Sequence, residues 1–225
     1  MRRKLYRYIL GVSVVLLIGV LLMAYGLFEM NWKAVSVSTP VELAVAITFD
    51  DGPNPDYTAA LLDGLKERGV VATFFLLGKE AEKYPELVHR MSEEGHLIAT
   101  HAYEHVNLCN LNEEAAIWQI DKTNQIIKEI TGTAPQFIRP PFGCWKKNLD
   151  YETTMIEVLW DVDPLDWKTG NTSVVVKRVL QNVKDGDIIL LHDASKSSVD
   201  AALQIVDELQ KDGYLFVTVD ELVLK

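Results

Sequence analysis

Length, composition and charge already restrict what this chain can be. It has 225 residues, 48% of them hydrophobic and 24% charged, so a folded domain is expected and a disordered chain is excluded. The formal net charge of -10 would repel nucleic acid, which excludes DNA and RNA as partners. No protein partner is indicated by the sequence.

The N-terminal segment predicts a membrane anchor. Residues 9–28 form a run of 20 residues without a charge, long enough to cross a bilayer as a helix. The basic residues before this run are expected to stay in the cytoplasm. A cleaved signal peptide is the alternative, although residues 22–26 match a small-x-small cleavage site poorly. Both interpretations place the rest of the chain outside the cytoplasm, and we favour a single-pass anchor in the cell membrane.

Three segments follow from this organisation. Residues 1–30 are expected to be the cytoplasmic end and the transmembrane helix, residues 31–43 a tether, and residues 44–225 one domain. Within that domain, apolar runs predict seven strands, at residues 45–49, 72–77, 96–100, 137–138, 155–160, 187–191 and 214–219. Helical patterns lie between most of them, at residues 57–68, 80–94, 112–130, 172–183 and 198–211. Apolar strands that alternate with helices predict a parallel sheet covered by helices, and periodicity does not separate a closed barrel from an open sheet.

Chemically unusual residues follow the predicted strands. They are Asp50 and Asp51 after the first strand, His101 after the third, Arg139 after the fourth, Asp163 after the fifth and His192 at the end of the sixth. In a parallel barrel these positions share the face on which active sites form. Five segments are therefore expected to converge on one site.

A metal site is predicted from His101 and His105. Their i, i+4 spacing brings two imidazoles to one side of a helix or turn. Two histidines with one carboxylate form a common open catalytic site for zinc, and Asp50 or Asp51 could supply the carboxylate. His192 lies on the same predicted face, which favours a general acid over a core histidine satisfied by the backbone.

Five motifs then resemble those of a known family. In order they are Thr48-Phe49-Asp50-Asp51-Gly52, His101-Ala102-Tyr103-Glu104-His105, Arg139-Pro140-Pro141-Phe142-Gly143, Asp163-Pro164-Leu165-Asp166-Trp167 and Leu190-Leu191-His192. Over residues 44–224 the chain resembles the polysaccharide deacetylases of the NodB-homology type, also called carbohydrate esterase family four.

The resemblance implies a distorted (β/α) barrel with about seven parallel strands and metal-assisted hydrolysis of N-acetyl groups on sugars. It implies that Asp51, His101 and His105 bind one divalent ion, with zinc expected first and cobalt, nickel or manganese as alternatives. The resemblance also implies that Asp50 is a general base supported by Arg139, and that His192 is a general acid supported by Asp163. It further implies that the Phe142 backbone contacts the oxyanion. Trp167 and Leu190 are expected to line the acetyl pocket.

Two positions depart from the family pattern. Ala102 stands where the family usually has Ser or Thr, which could remove a hydrogen bond that supports the metal ligands. Phe142 replaces the usual Tyr, a small change if the backbone N–H carries the role. Cys109 and Cys144 flank these loops, and two unpaired thiols are slightly preferred over a disulfide.

The expected substrate is an acetylated polysaccharide outside the cytoplasm, with peptidoglycan N-acetylglucosamine first. Chitin-like, biofilm or O-acetylated glycans are alternatives within the same chemistry. A non-catalytic glycan-binding module is the alternative of another class, and the intact set of polar residues argues against it.

Overall fold

The computed structural model describes residues 43–145 and 155–224, together with residues 17, 18 and 20–23 near the N-terminus. The chain divides into two units, Met1–Val41 and Glu42–Lys225. The described residues of the first unit are helical and exposed. Among all residues that the structure describes, no helix is both long and apolar enough to cross a membrane. Most of the predicted anchor, residues 9–28, lies outside the described residues.

The second unit is built on one parallel sheet of seven strands, whose order is β5-β4-β3-β2-β1-β6, with β7 paired to β1. Strand β1 is buried along nearly its whole length and lies at the centre of the fold. Its first half pairs with β7, and its second half pairs with β2 and β6. The strands are β1 (Leu43–Asp50), β2 (Thr73–Leu76), β3 (Leu97–Thr100), β4 (Phe137–Ile138), β5 (Ile156–Glu157), β6 (Ile188–His192) and β7 (Tyr214–Phe216).

The two ends of the strand order meet. Val162, which follows β5 in the chain, forms an isolated parallel bridge with Ile189 of β6. The backbone N–H of Leu190 donates to the Val162 carbonyl over 2.9 Å. The sheet is therefore curled, and the prediction of about seven parallel strands in an α/β fold is confirmed.

Helices connect most of the strands. The prediction of one helix over residues 80–94 is wrong, because the chain forms two helices that meet at Tyr84 and Pro85. Proline lacks the N–H that a continuous helix needs, so it begins the second helix. The helices are α1 (Thr58–Glu67), α2 (Gly78–Lys83), α3 (Pro85–Glu93), α4 (Glu113–Thr131), α5 (Thr172–Asn182), α6 (Lys196–Lys211) and α7 (Val219–Val223).

Two strands are shorter than predicted by three residues or more. The last strand ends at Phe216, because Thr218 and Glu221 form a capping box that starts α7. The strand predicted over residues 155–160 is limited to Ile156–Glu157. Beyond it, the carbonyls of Val158 and Leu159 accept hydrogen bonds from the Arg139 guanidinium. This contact brings the segment after β5 to the carboxyl edge of the sheet.

Candidate active site

Three potential metal ligands meet where β1 and β3 end. Asp51 follows β1, and its Oδ1 lies 3.5 Å from Nε2 of His101 and 3.7 Å from Nε2 of His105. The candidate ligand atoms of all three residues lie within 4.8 Å of one another. His101 is buried, while the side chains of Asp51 and His105 are about one third exposed, which leaves one side of the cluster open to the solvent.

The chemistry of this cluster fits a divalent ion. Nδ1 of His101 lies 2.6 Å from the carbonyl oxygen of Arg139, so Nδ1 carries the proton and Nε2 presents a lone pair to the cluster. Burial lowers the pKa of His101, which favours the neutral imidazole that a metal requires. Oδ1 of Asp51 is buried without a hydrogen-bond partner among the described residues, as expected for an atom that a cation would satisfy.

Asp50 is held beside this cluster by Arg139. Nη1 of Arg139 donates to Oδ1 of Asp50 over 2.7 Å and also to Oγ1 of Thr48 over 2.8 Å. The other carboxylate oxygen of Asp50 lies 3.9 Å from Nε2 of His101. One oxygen of Asp50 is thus fixed, and the second faces the ligand cluster.

Arg139 is fully buried and carries its charge inside the domain. Its guanidinium lies 4.0 Å from the centroid of the Phe75 ring, which provides a cation–π contact. Burial lowers the pKa of Arg139, and the charge and hydrogen bond of Asp50 offset part of that fall. The contact between Asp50 and Arg139 that the sequence predicted is present.

His192 contacts Asp166, and not Asp163 as predicted. Nδ1 of His192 lies 2.9 Å from Oδ1 of Asp166, and the backbone N–H of His192 donates to Oδ2 of the same carboxylate. Burial would lower the pKa of His192, but Asp166, with smaller contributions from Asp50 and Asp51, raises it to about 9. The side chain is therefore a protonated imidazole at neutral pH, as a general acid must be.

The loop geometry explains why the prediction for Asp163 is wrong. Oδ1 of Asp163 accepts a hydrogen bond from the backbone N–H of Leu165 over 2.8 Å. Leu165 has a left-handed backbone with φ of 57°, and this turn directs the next residue, Asp166, under His192. The sequence did contain a signal, since the motif Asp163-Pro164-Leu165-Asp166-Trp167 offers two aspartates.

A cavity of about 400 Å³ joins these groups. It is lined by the three candidate ligands, by Asp50, Asp163 and His192, and by the predicted pocket residues Phe142, Trp167 and Leu190. Pro140 and Trp160 also line it, although the sequence did not single them out as site residues. The lining combines apolar side chains with titratable ones, which suits a small acyl group held beside a reacting carbonyl.

Residues 38–158 match the family described as polysaccharide deacetylase. The chain belongs to the polysaccharide deacetylase family. The resemblance predicted from the five motifs is therefore confirmed.

Curated relatives of this chain are named as peptidoglycan deacetylases. The chain is 43% identical over 183 residues to the peptidoglycan-N-acetylmuramic acid deacetylase PdaC of Bacillus subtilis, covering 81% of this chain and 39% of PdaC. It is also 43% identical over 185 residues to a peptidoglycan-N-acetylglucosamine deacetylase of Bacillus cereus, covering 79% of this chain and 67% of the relative. The chain thus spans about two fifths of the length of PdaC.

Solved structures that superpose on this chain include members of the same family. A structure of PdaC superposes with a TM-score of 0.79 at 43% identity, covering 81% of this chain and 91% of that one. A pseudoenzyme of the same family from Bacillus anthracis superposes with a TM-score of 0.75 at 26% identity, covering 81% of this chain and 66% of that one. The fold by itself therefore does not establish catalysis, and the site residues must carry that conclusion.

A disulfide of this chain joins two loops of the candidate site. Cys109 and Cys144 are bonded to each other, so the preference for unpaired thiols is wrong. Cys109 lies four residues after His105, and Cys144 follows the turn that carries Phe142. The Phe142 and His105 rings are in edge contact, with centroids 4.5 Å apart. The disulfide therefore links the loop of a candidate ligand to the loop of the candidate oxyanion contact.

Proposed function

We propose that this chain removes N-acetyl groups from an acetylated polysaccharide outside the cytoplasm, with peptidoglycan N-acetylglucosamine as the first expected substrate. The observation that carries the proposal is the shared cavity. A carboxylate held by Arg139, an imidazole charged by Asp166 and a three-ligand cluster all line the same space. Amide hydrolysis needs these parts together, because one group must accept a proton and another must donate one.

Asp51, His101 and His105 would hold the ion, with zinc expected first and cobalt, nickel or manganese as alternatives. A divalent ion held there would supply polarisation of the acetyl carbonyl and would lower the pKa of bound water to about 7. Two observations support this assignment. Oδ1 of Asp51 has no hydrogen-bond partner among the described residues, and burial lowers the pKa of His101, which favours its neutral imidazole.

The protons move between residues of this chain. Asp50 would accept a proton from the attacking water as the new carbon–oxygen bond forms, while Arg139 keeps the carboxylate in place. Nδ1 of His192 is engaged by Asp166, so Nε2 would deliver a proton to the amine nitrogen as the carbon–nitrogen bond breaks. The products are acetate and a free amino sugar.

The remaining cavity residues would hold the acetyl group. Leu190 is buried in the floor, and Trp167 is 61% exposed at the rim, where its indole is free to cover a sugar ring. The backbone N–H of Phe142 would donate to the developing oxyanion, which makes the replacement of Tyr by Phe at this position tolerable.

The location of the enzyme is also a proposal. The uncharged run of residues 9–28 and the basic residues before it support a single-pass anchor with the catalytic domain outside the cytoplasm. An enzyme anchored in this way would reach cell-wall glycan, and the names of the two bacterial relatives support peptidoglycan as that glycan.

The proposal is tested by acetate release from purified protein supplied with Zn²⁺ or Co²⁺. We expect acetate from peptidoglycan, and the panel should include chitooligosaccharide and acetylxylan because other acetylated glycans are the alternative substrates. The variant Asp50→Asn serves as the inactive control. If no glycan of the panel releases acetate while the protein still binds a glycan, a non-catalytic binding module replaces the proposed function.

A further inference from the structure

A buried carboxylate that the mechanism does not use lies directly behind the site. Asp193 follows the proposed acid His192 and is 1% exposed. Its carboxylate packs against Gly52, the residue after the ligand Asp51. A Cβ added to Gly52 would lie 2.7 Å from Oδ2 and 2.9 Å from Oδ1 of Asp193. The motif glycine is therefore required by the approach of this carboxylate.

Thr58 connects Asp193 to the turn after Asp51. The hydroxyl of Thr58, the first residue of α1, donates to Oδ2 of Asp193. The same hydroxyl accepts the backbone N–H of Asn54 over 2.7 Å. The side chain of Thr58 is fully buried, so solvent cannot replace either partner. The backbone N–H of Asn54 also interacts with the Asp193 carboxylate.

The turn held in this way has an unfavourable backbone. Asp51 has φ of 73°, in the left-handed region that side chains other than glycine avoid. On its other side, the Gly52 carbonyl accepts the N–H of Leu77 over 3.1 Å. A strained ligand residue keeps its position only when its neighbours are fixed from several directions.

We propose that Asp193 and Thr58 are positioning residues that fix the metal ligand Asp51 relative to the acid His192. Asp193 is covalently next to His192 and contacts the turn of Asp51, so one buried carboxylate ties the two halves of the site together. This inference rests on the proposed function, because it assigns Asp51 to the metal. Neither residue contacts the cavity, and neither is a catalytic residue.

The test compares two buried threonines. Thr58→Val removes the hydroxyl that links Asn54 to Asp193. The matched control is Thr73→Val. Thr73 is equally buried, and its hydroxyl accepts the backbone N–H of Val219. It lies at the amino end of β2, whereas the candidate site lies at the carboxyl end of the strands. Thr58→Ser keeps the hydroxyl and should restore the wild-type behaviour.

The readout is the affinity for Zn²⁺, measured by competition with a chelator of known affinity, beside kcat, KM and the thermal midpoint. We expect Thr58→Val to weaken zinc binding by about 10-fold to 100-fold, the range seen when residues that support metal ligands are removed. Thr73→Val should lose a similar amount of thermal stability and keep the zinc affinity of the wild type. Asp193→Asn, which has one acceptor oxygen instead of two, should weaken zinc binding in the same direction.

Equal zinc affinities for Thr58→Val and Thr73→Val, at matched thermal midpoints, would overturn the inference. If Thr58→Val does not fold, an unchanged zinc affinity in Asp193→Asn overturns it instead. A wild-type protein that binds zinc but releases no acetate contradicts the proposed function while leaving this comparison valid. A wild-type protein that binds no divalent ion contradicts both.

Discussion

The two edges of the parallel sheet solve the same geometric problem with different residues. The turns that lead into strands β2, β3, β4, β6 and β7 contain glycines with positive φ, namely Gly69, Gly95, Gly132, Gly186 and Gly213. The turns that leave β1, β3 and β4, and the loop after β5, place side chains in the same left-handed region, at Asp51, Ala102, Phe142 and Leu165, and the turn after β4 also contains Gly143 with positive φ. Each such residue costs about 1–2 kcal/mol.

The difference shows where the fold stores strain. At the amino edge, glycine adopts the required turn without strain, and a Cβ at Gly69, Gly132, Gly186 or Gly213 would meet nothing within 4 Å. At the carboxyl edge, the strained residues lie in the motif loops, and surrounding contacts hold them. Strain of this kind collects where a site must be preorganised. The following changes test that contrast from the largest expected effect to the smallest.

Removing the proposed general base should have the largest effect. Asp50→Asn keeps the shape of the side chain but cannot accept the proton, so we expect kcat to fall by about 10²–10⁴-fold with zinc still bound. His101→Ala should instead lose the metal, because it removes a ligand from a three-residue cluster. Zinc content and acetate release, measured on the same samples, separate the two outcomes. Normal turnover by Asp50→Asn would contradict the mechanism.

Opening the disulfide should lower the stability of the whole domain. Cys109 and Cys144 are 35 residues apart, and by the chain-entropy relation a crosslink of this length stabilises the fold by about 4 kcal/mol. We expect the double variant Cys109→Ser, Cys144→Ser to lose about that free energy of unfolding, measured by urea denaturation. Treatment of the wild type with dithiothreitol should reproduce the loss. An unchanged midpoint in both experiments would show that the loops are held without the bond.

The charge on His192 gives a pH dependence with a definite sign. In the metal-free protein its pKa is raised to about 9, above the value of about 6.5 expected in the unfolded chain. Its stabilising contribution is therefore complete below pH 6.5 and is lost as the pH rises through 9.

The variant Asp166→Asn tests this assignment. It should lower the His192 pKa toward its ordinary value, which the NMR signals of the imidazole ring would follow. It should also remove the loss of stability between pH 6.5 and pH 9, which denaturation in the presence of a chelator would measure. Asp163→Asn, which alters the other motif aspartate, should leave the His192 pKa in place. If Asp163→Asn lowers it and Asp166→Asn does not, the assignment of the partner is reversed.

The smallest effects should separate backbone strain from site geometry. Gly132→Ala introduces a side chain at φ of 78° in open space, and we expect it to destabilise the domain by about 1 kcal/mol without changing kcat/KM. Gly143→Ala has a similar backbone penalty at φ of 63°, but its Cβ would also lie 3.3 Å from the Trp160 ring. We expect a comparable loss of stability together with reduced kcat/KM. Equal kcat/KM values for both variants would show that the Phe142 turn tolerates displacement.

Much of this organisation could be predicted from the sequence because the information is local. Apolar runs, the cap Asn112 and the glycine after α4 define elements within a few residues, and the five motifs identify strand ends. Pro85 was also a local signal, since proline begins helices more readily than it continues them.

The errors concern contacts that depend on tertiary structure. Whether Asp163 or Asp166 meets His192 depends on the left-handed turn at Leu165, which no propensity would assign to leucine. The pairing of Cys109 with Cys144 depends on the pairing of β3 with β4, which places the loops after these two strands side by side. Asp193 and Thr58 are separated by 135 residues, so their hydrogen bond has no signature in either local sequence.

The buried guanidinium of Arg139 also constrains the order in which this protein can fold. Its partners Thr48 and Asp50 are 91 and 89 residues away in the chain, and its other partners are carbonyls that follow β5. Until all of these have assembled, collapse would bury an uncompensated charge, which is strongly unfavourable. Strands β1 and β4 and the segment after β5 must therefore consolidate in one cooperative step. Contacts of such long range are expected to slow that step, because the chain must close long loops before Arg139 meets its partners.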